Sequence, residues 1–165
     1  MITEQSAQYY AKSAANHDRI YDKPERQHDL AVMREQVAQA LRGHVVLELA
    51  CGTGYWTRVI AASAESVLAT DVNPEMIALG KLRALPANKV QFRVADAFAL
   101  PDDIGSFTAV FIGFWWSHVK REQQERFLAQ LRSKLGRDLL IVLLDDAYVE
   151  GSSETVARTD MEGNT

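Results

Sequence analysis

One stretch constrains this chain more than any other: Val45-Val46-Leu47-Glu48-Leu49-Ala50-Cys51-Gly52-Thr53-Gly54-Tyr55-Trp56. It starts as a short apolar run. That is the pattern of a buried parallel strand, where both faces are covered and the polar–apolar alternation is lost. The run breaks on two glycines with one residue between them. Glycine lets the backbone turn tightly and lets a ligand lie close against it. Beyond Gly54 the apolar positions Trp56, Val59 and Ile60 fall at helical spacing, so a helix follows. Strand, glycine turn and helix together open a nucleotide-binding α/β unit.

The dinucleotide fingerprint has a third glycine three residues after the second. Here Thr57 stands in that place, and an acid, Glu48, stands four positions before Gly52. A carboxylate at a strand end is a poor neighbour for a pyrophosphate. It suits a ligand that carries positive charge near the loop; the alternative is a surface glycine turn with a solvated Glu. Glu48-Leu49-Ala50-Cys51-Gly52-Thr53-Gly54 resembles motif I of the class I S-adenosylmethionine-dependent methyltransferases, acidic-x-small-x-Gly-x-Gly. The resemblance implies a cofactor with a sulfonium and an ammonium and no phosphate, contacted by Glu48, Ala50, Gly52 and Gly54.

The 165 residues suffice for one domain with a real core. Acidic residues outnumber Lys and Arg by 22 to 18 with no basic cluster, which argues against nucleic acid as a partner. The single cysteine, Cys51, excludes an intramolecular disulfide and a cysteine-rich metal site, and its place in the motif suits a small buried hydrophobe. No metal is expected. There is neither an apolar run of transmembrane length nor a signal-peptide pattern, so the expectation is a soluble, cytoplasmic protein without membrane partners.

Residues 3–21 are polar and alanine-rich and are expected to be helical, with Pro24 breaking the run. They form either a lid over a pocket or a helix simply packed on the domain. Tyr10 and Tyr21 resemble lid tyrosines of small-molecule methyltransferases, which reach the cofactor. Arg19 and His28 are expected to be solvated. A helix over 25–42 carries the stripe Leu30, Met33, Val37 and Leu41, and Gly43 stops it. After the motif helix, Ser66 to Asp71 is a second strand. Asp71 follows Gly52 by 19 residues, the spacing at which doubly wound folds put an acid on the ribose hydroxyls. Asn73 and Pro74 start the next helix, so Asp71 is not needed as its cap. Val72 would lie against the adenine, while Met76 and Ile77 read as core.

Lys89 to Val94 is a third strand. In the resembling family an acid just after it accepts from the adenine amino group, and the next backbone N–H meets the ring; Asp96-Ala97-Phe98 match that position, the alternative being an Asx turn. Phe107 to Gly113 is the fourth strand. Bulky Phe114, Trp115 and Trp116 follow it where open α/β sheets bind ligands, so Gly113 and Phe114 are expected at the cofactor and Trp115 and Trp116 in an acceptor pocket. His118 is the candidate general base, since imidazole titrates at about 6.5. A helix over 122–135 and a fifth strand over 139–144 complete the pattern, with Asp145 and Asp146 at the strand exit.

The expected fold is therefore α/β: a doubly wound, mostly parallel, Rossmann-like sheet of order 3-2-1-4-5 with helices on both faces. The expected division is 1–24 as lid, 25–146 as core and 147–165 as a polar tail resembling a connector cut short before two further strands. That would leave the fifth strand as an apolar edge, to be covered by missing chain or in a homodimer. The function implied is methyl transfer from S-adenosylmethionine to a small-molecule acceptor. A non-catalytic S-adenosylmethionine-binding or scaffold domain is the alternative, and an NAD-dependent oxidoreductase fits less well.

Overall fold

The computed structural model describes residues 4–146, the side chains of residues 4, 6, 7, 10 and 11 excepted. The proposed tail, 147–165, lies outside the described residues. Five strands form one sheet: β1 (Val45–Leu49), β2 (Ser66–Asp71), β3 (Val90–Val94), β4 (Ala109–Gly113) and β5 (Leu140–Leu144). All neighbours pair in parallel, in the order β3-β2-β1-β4-β5. The chain runs from β1 outward to β3, then returns to β4 on the other side of β1. The carboxyl ends of β1 and β4 thus flank the switch point, where such sheets bind ligands.

The helices are α1 (Glu4–Asp18), α2 (Gln27–Ala40), α3 (Tyr55–Ala61), α4 (Pro74–Lys81) and α5 (Arg121–Leu135). Short 3₁₀ turns over Arg19–Tyr21, Pro24–Arg26 and Trp116–His118 lie in the connections. The helix expected over 25–42 starts two residues later, because Pro24 opens a 3₁₀ turn first. Gly43 follows it at a φ of +73°, the left-handed stop expected of it.

Strand alternation divides the core. Val46, Val67, Ala109 and Phe111 face α2 and α3, packing with Leu30, Val37, Trp56 and Ile60. Leu47, Leu49, Val110 and Ile112 face the opposite side, against Phe127 and Leu131 of α5. There Leu100, Ile104 and Phe107 cover the sheet from the β3–β4 connection, which takes the place of a helix. On the first face α4 lies over β2 and β3. A Cβ on Gly80 would come within 2.5 Å of the Phe92 ring, so glycine sets the closeness of that approach.

Candidate cofactor and acceptor site

Glu48 belongs to the half of β1 that faces α3. Its carboxyl is 2 % exposed and accepts a hydrogen bond from the Thr57 hydroxyl. Burial pushes its pKa up from 4.5 to about 8; the Thr57 bond and Arg83 pull it down and Asp71 pushes it up. Thr57, which reads in the sequence only as a missing glycine, is wholly buried and holds this carboxyl in place. Gly52 has a φ of +55°, and a Cβ there would meet no atom within 4 Å. Glycine is therefore needed for the turn, and its backbone stays open to a ligand.

Glu48, Ala50 and Gly52 line a cavity of about 220 Å³, together with Thr53, Tyr21, Trp56, Gly113 and Phe114. Met76, expected in the core, lines it as well. Two non-glycine residues here have left-handed backbones: Ala50 at φ 53° and Phe114 at φ 55°, the first residues after β1 and β4. Strain of this kind collects at ligand sites. Around the cavity the Tyr21, Trp56 and Phe114 rings have centroids 6.2 to 6.5 Å apart. Tyr21 also stacks on Tyr55 at 3.9 Å.

A second cavity of about 580 Å³ begins on the far side of Tyr21 and Phe114, lined also by Arg26, Leu30, Met33, Asp145 and Asp146. A third, of about 290 Å³, shares Tyr21, Arg26, Phe114 and both acids and adds Ser117 and His118. Tyr21 and Phe114 are thus the partition between the glycine loop and an outer cleft. Asp145 accepts from the backbone N–H groups of Ser117 and Asp146, which ties the β5 exit to the turn bearing His118.

The remaining expected residues are spread along the same sheet edge. Asp71 accepts from the Gly52 N–H through one oxygen and the Asn73 N–H through the other, at 2.9 Å each, so it braces the glycine loop. Asn73 caps α4 through Glu75, as expected. Val72 is 68 % exposed beside it, an apolar surface free to meet a ring. Gly54 starts α3 with a φ of +84°. Asp96 makes the Asx turn, accepting from the Phe98 N–H at 2.8 Å. Ala97 accepts from Gln130 on α5, and Phe98 packs on Trp115 and Phe127. Cys51 is buried and its thiol pKa is pushed up by burial, so it packs as a small hydrophobe. The Tyr10 side chain lies outside the described part of the structure.

Trp115 and Trp116, expected from the sequence in an acceptor pocket, pack toward α5. Neither lines the cavities above; both pack on Phe127 of α5. The left-handed Phe114 is the cause: it directs its own ring to the cavity face, and the chain then crosses to the α5 face. Trp56 starts the buried stripe of α3, as expected, and also forms part of the cavity wall.

A further network escaped the sequence. Arg83, at the end of α4, ion-pairs with Asp18 at the end of α1 and donates to the Thr53 carbonyl at 2.6 Å. The Thr53 hydroxyl donates to Asp18 at 2.7 Å. The glycine loop is therefore tied to α1, which closes one side of the cavity through His17 and Asp18. Residues so distant in sequence carry no shared local pattern.

A family model described as a methyltransferase domain matches residues 46–138, more than half of the chain. The chain belongs to this methyltransferase family. Its sheet order is that of the class I, Rossmann-like methyltransferase fold. Among solved methyltransferase-like structures, DhpI in complex with SAH is 32 % identical, with a TM-score of 0.70; the match covers 98 % of this chain and 76 % of that one. DhpI in complex with SAM and HEP gives 31 % identity and a TM-score of 0.68, covering 98 % and 78 %. Demethylmenaquinone methyltransferase of Clavibacter sepedonicus is 42 % identical over 72 residues, 44 % of this chain and 29 % of that protein. Magnesium-protoporphyrin O-methyltransferase of Rhodobacter capsulatus is 37 % identical over 68 residues, 40 % of this chain and 30 % of that one. This chain thus spans about a third of the length of these curated methyltransferases. Among the described residues no helix is long and apolar enough to cross a membrane.

Proposed function

We propose that this methyltransferase-family chain binds S-adenosylmethionine at the carboxyl edge of β1 and β4 and methylates a small molecule held in the cleft beyond Tyr21 and Phe114. The observation that carries the reading is the buried Glu48 carboxyl on a cavity floored by an open Gly52 backbone. A sulfonium-bearing amino acid fits that chemistry; a pyrophosphate beside Glu48 does not, which disfavours a nicotinamide dinucleotide.

Bound there, the cofactor supplies a methyl group on positively charged sulfur, which leaves with its bonding electrons as a thioether. The chain needs no nucleophile of its own. Its task is to hold the acceptor in line and keep water out, and positioning of that kind is worth roughly 7–11 kcal/mol. Tyr21 and Phe114 form the wall that the acceptor meets from the outer cleft. His118, which lines that cleft, takes the proton of an acceptor that starts protonated. Asp71 and Val72 serve the ribose and adenine ends of the cofactor, and Asp96 the adenine amino group through its second oxygen. Helix α1 and the turn after it act as the lid. The relatives' names, a quinone and a porphyrin methyltransferase, support a small acceptor.

The test is thermal shift and calorimetry on the purified chain. S-adenosylmethionine and S-adenosylhomocysteine should both raise the melting temperature and NAD should not. With an acceptor found by screening, His118→Ala should lower turnover and leave S-adenosylhomocysteine affinity unchanged. Binding without turnover on any acceptor would favour the scaffold reading.

A further inference from the structure

Tyr55 is the first residue of α3, and three side chains from different parts of the chain converge on its own. Arg34 of α2 donates to its hydroxyl at 2.8 Å. The Arg58 guanidinium lies over its ring, 5.6 Å from the centroid. The Tyr21 ring stacks on it with centroids 3.9 Å apart and planes within 9°. A near-parallel pair this close brings two electron-rich faces together, which the rings alone do not favour. A cation over the ring and a charged donor on the hydroxyl offset that repulsion. Neither arginine has an acidic partner among the described residues, so Tyr55 is where both cations are engaged.

Tyr21 needs such a support. It sits in a 3₁₀ turn that contains no buried residue, so its own backbone segment does not fix the ring. Its hydroxyl meets the Trp56 indole, and its face rests on Tyr55. Tyr21 and Phe114 both border the inner cavity and the two outer ones. Their ring centroids are 6.5 Å apart, within the range of aromatic contact, so a bulky group does not pass between them. Phe114 is set by its left-handed backbone and by its N–H bond to the Leu144 carbonyl at 2.6 Å. One side of the partition is thus fixed by the main chain. The other depends on a stack that Arg34 holds in place.

We propose that Arg34 and Tyr55 are positioning residues that set the plane of Tyr21, and through it the size of the group that the cofactor's sulfur can carry toward the outer cleft. With Tyr21 held on Tyr55, the partition accepts a methyl group and rejects a longer chain. Without the Arg34 bond the Tyr55 ring shifts, Tyr21 turns with it, and the inner cavity opens toward the 580 Å³ cleft. The inference rests on the S-adenosylmethionine reading above and adds to it a selectivity determinant on α2, outside every cavity described.

The experiment measures three ligands by calorimetry: S-adenosylhomocysteine, S-adenosylmethionine and S-adenosylethionine. The last two carry the same charge and differ by one methylene. The unmodified chain should prefer the methyl compound by about tenfold or more, the scale of one methylene against a fitted wall. Arg34→Ala should bring that ratio to within about threefold and leave S-adenosylhomocysteine, which has nothing on its sulfur, within about twofold of the unmodified chain. Tyr55→Phe keeps the ring and removes the same hydrogen bond from the other side, so it should match Arg34→Ala. The double variant should add nothing further, because the two act as one unit. Should Arg34→Ala fail to fold, Tyr55→Phe decides alone. A preference unchanged in the variants, an equal loss of all three ligands, additive effects in the double variant, or no preference for methyl in the unmodified chain each overturns the proposal. If the unmodified chain does not bind S-adenosylhomocysteine at all, the cofactor reading falls first and takes this inference with it.

Discussion

A single carboxyl sets the electrostatics of this site. Glu48 is neutral in the folded chain up to about pH 8, because burial opposes its charge, while in the unfolded chain it titrates near 4.5. The folded state therefore holds an extra proton between those values. The stability this contributes is fully present below about pH 4.5 and is lost as pH rises through about 8. At about 1.36 kcal/mol per pKa unit the effect is on the order of a few kcal/mol. Glu48→Gln should flatten that part of the stability profile, measured by urea unfolding at pH 5 and pH 9. A cationic ligand needs the carboxylate, so binding of S-adenosylmethionine should release up to one proton at pH 7 and tighten as pH rises toward 8. Titration calorimetry in two buffers of different ionisation enthalpy should detect that proton, and its presence in Glu48→Gln would refute the assignment.

At the level of elements, the end of α1 is tied to the body through Asp18. Its apolar content is low, and its firmest described link to the body is Asp18 to Arg83 and Thr53. The pair is partly buried, with side chains 17 % and 24 % exposed, so it is worth more than an open surface ion pair. Because Thr53 lies between the two loop glycines, loosening the tie also loosens the cofactor loop. Arg83→Ala should speed amide exchange in the second half of α1 and weaken S-adenosylhomocysteine binding several-fold. The melting temperature should fall by only about 2–4 °C, the scale of 1 kcal/mol in a chain this long. Unchanged exchange in α1 would show that the helix is held by packing instead.

At the scale of the whole sheet, β5 is the outermost strand among the described residues on the β4 side. Among the described residues nothing pairs with its outer edge, and Leu140, Ile141 and Leu143 are 41 %, 38 % and 47 % exposed, on both faces. An apolar edge strand pairs readily with another chain. We propose that a second copy covers it. Sedimentation velocity on this chain should show concentration-dependent association, and Leu143→Lys should abolish it while sparing cofactor binding. A monodisperse monomer at high micromolar concentration would remove the proposal.

The fold was legible because it rests on local signals. Each buried strand is a short apolar run, each helix a stripe, and the glycine turn ties one to the next; right-handed crossovers then leave little choice of order. The approximate location of Glu48, Asp71, Asp96 and Gly113 followed, since strand ends in such a sheet share an edge. Tertiary structure alone decided where side chains go after they leave that edge. The left-handed turn at Phe114 sent Trp115 and Trp116 to α5 and left Trp56 on the cavity. Thr57 became the support of Glu48, and Asp18 met Arg83 across 65 residues. Periodicity records which face a residue occupies, whereas contacts between distant segments depend on how whole elements pack, and no local pattern carries that information.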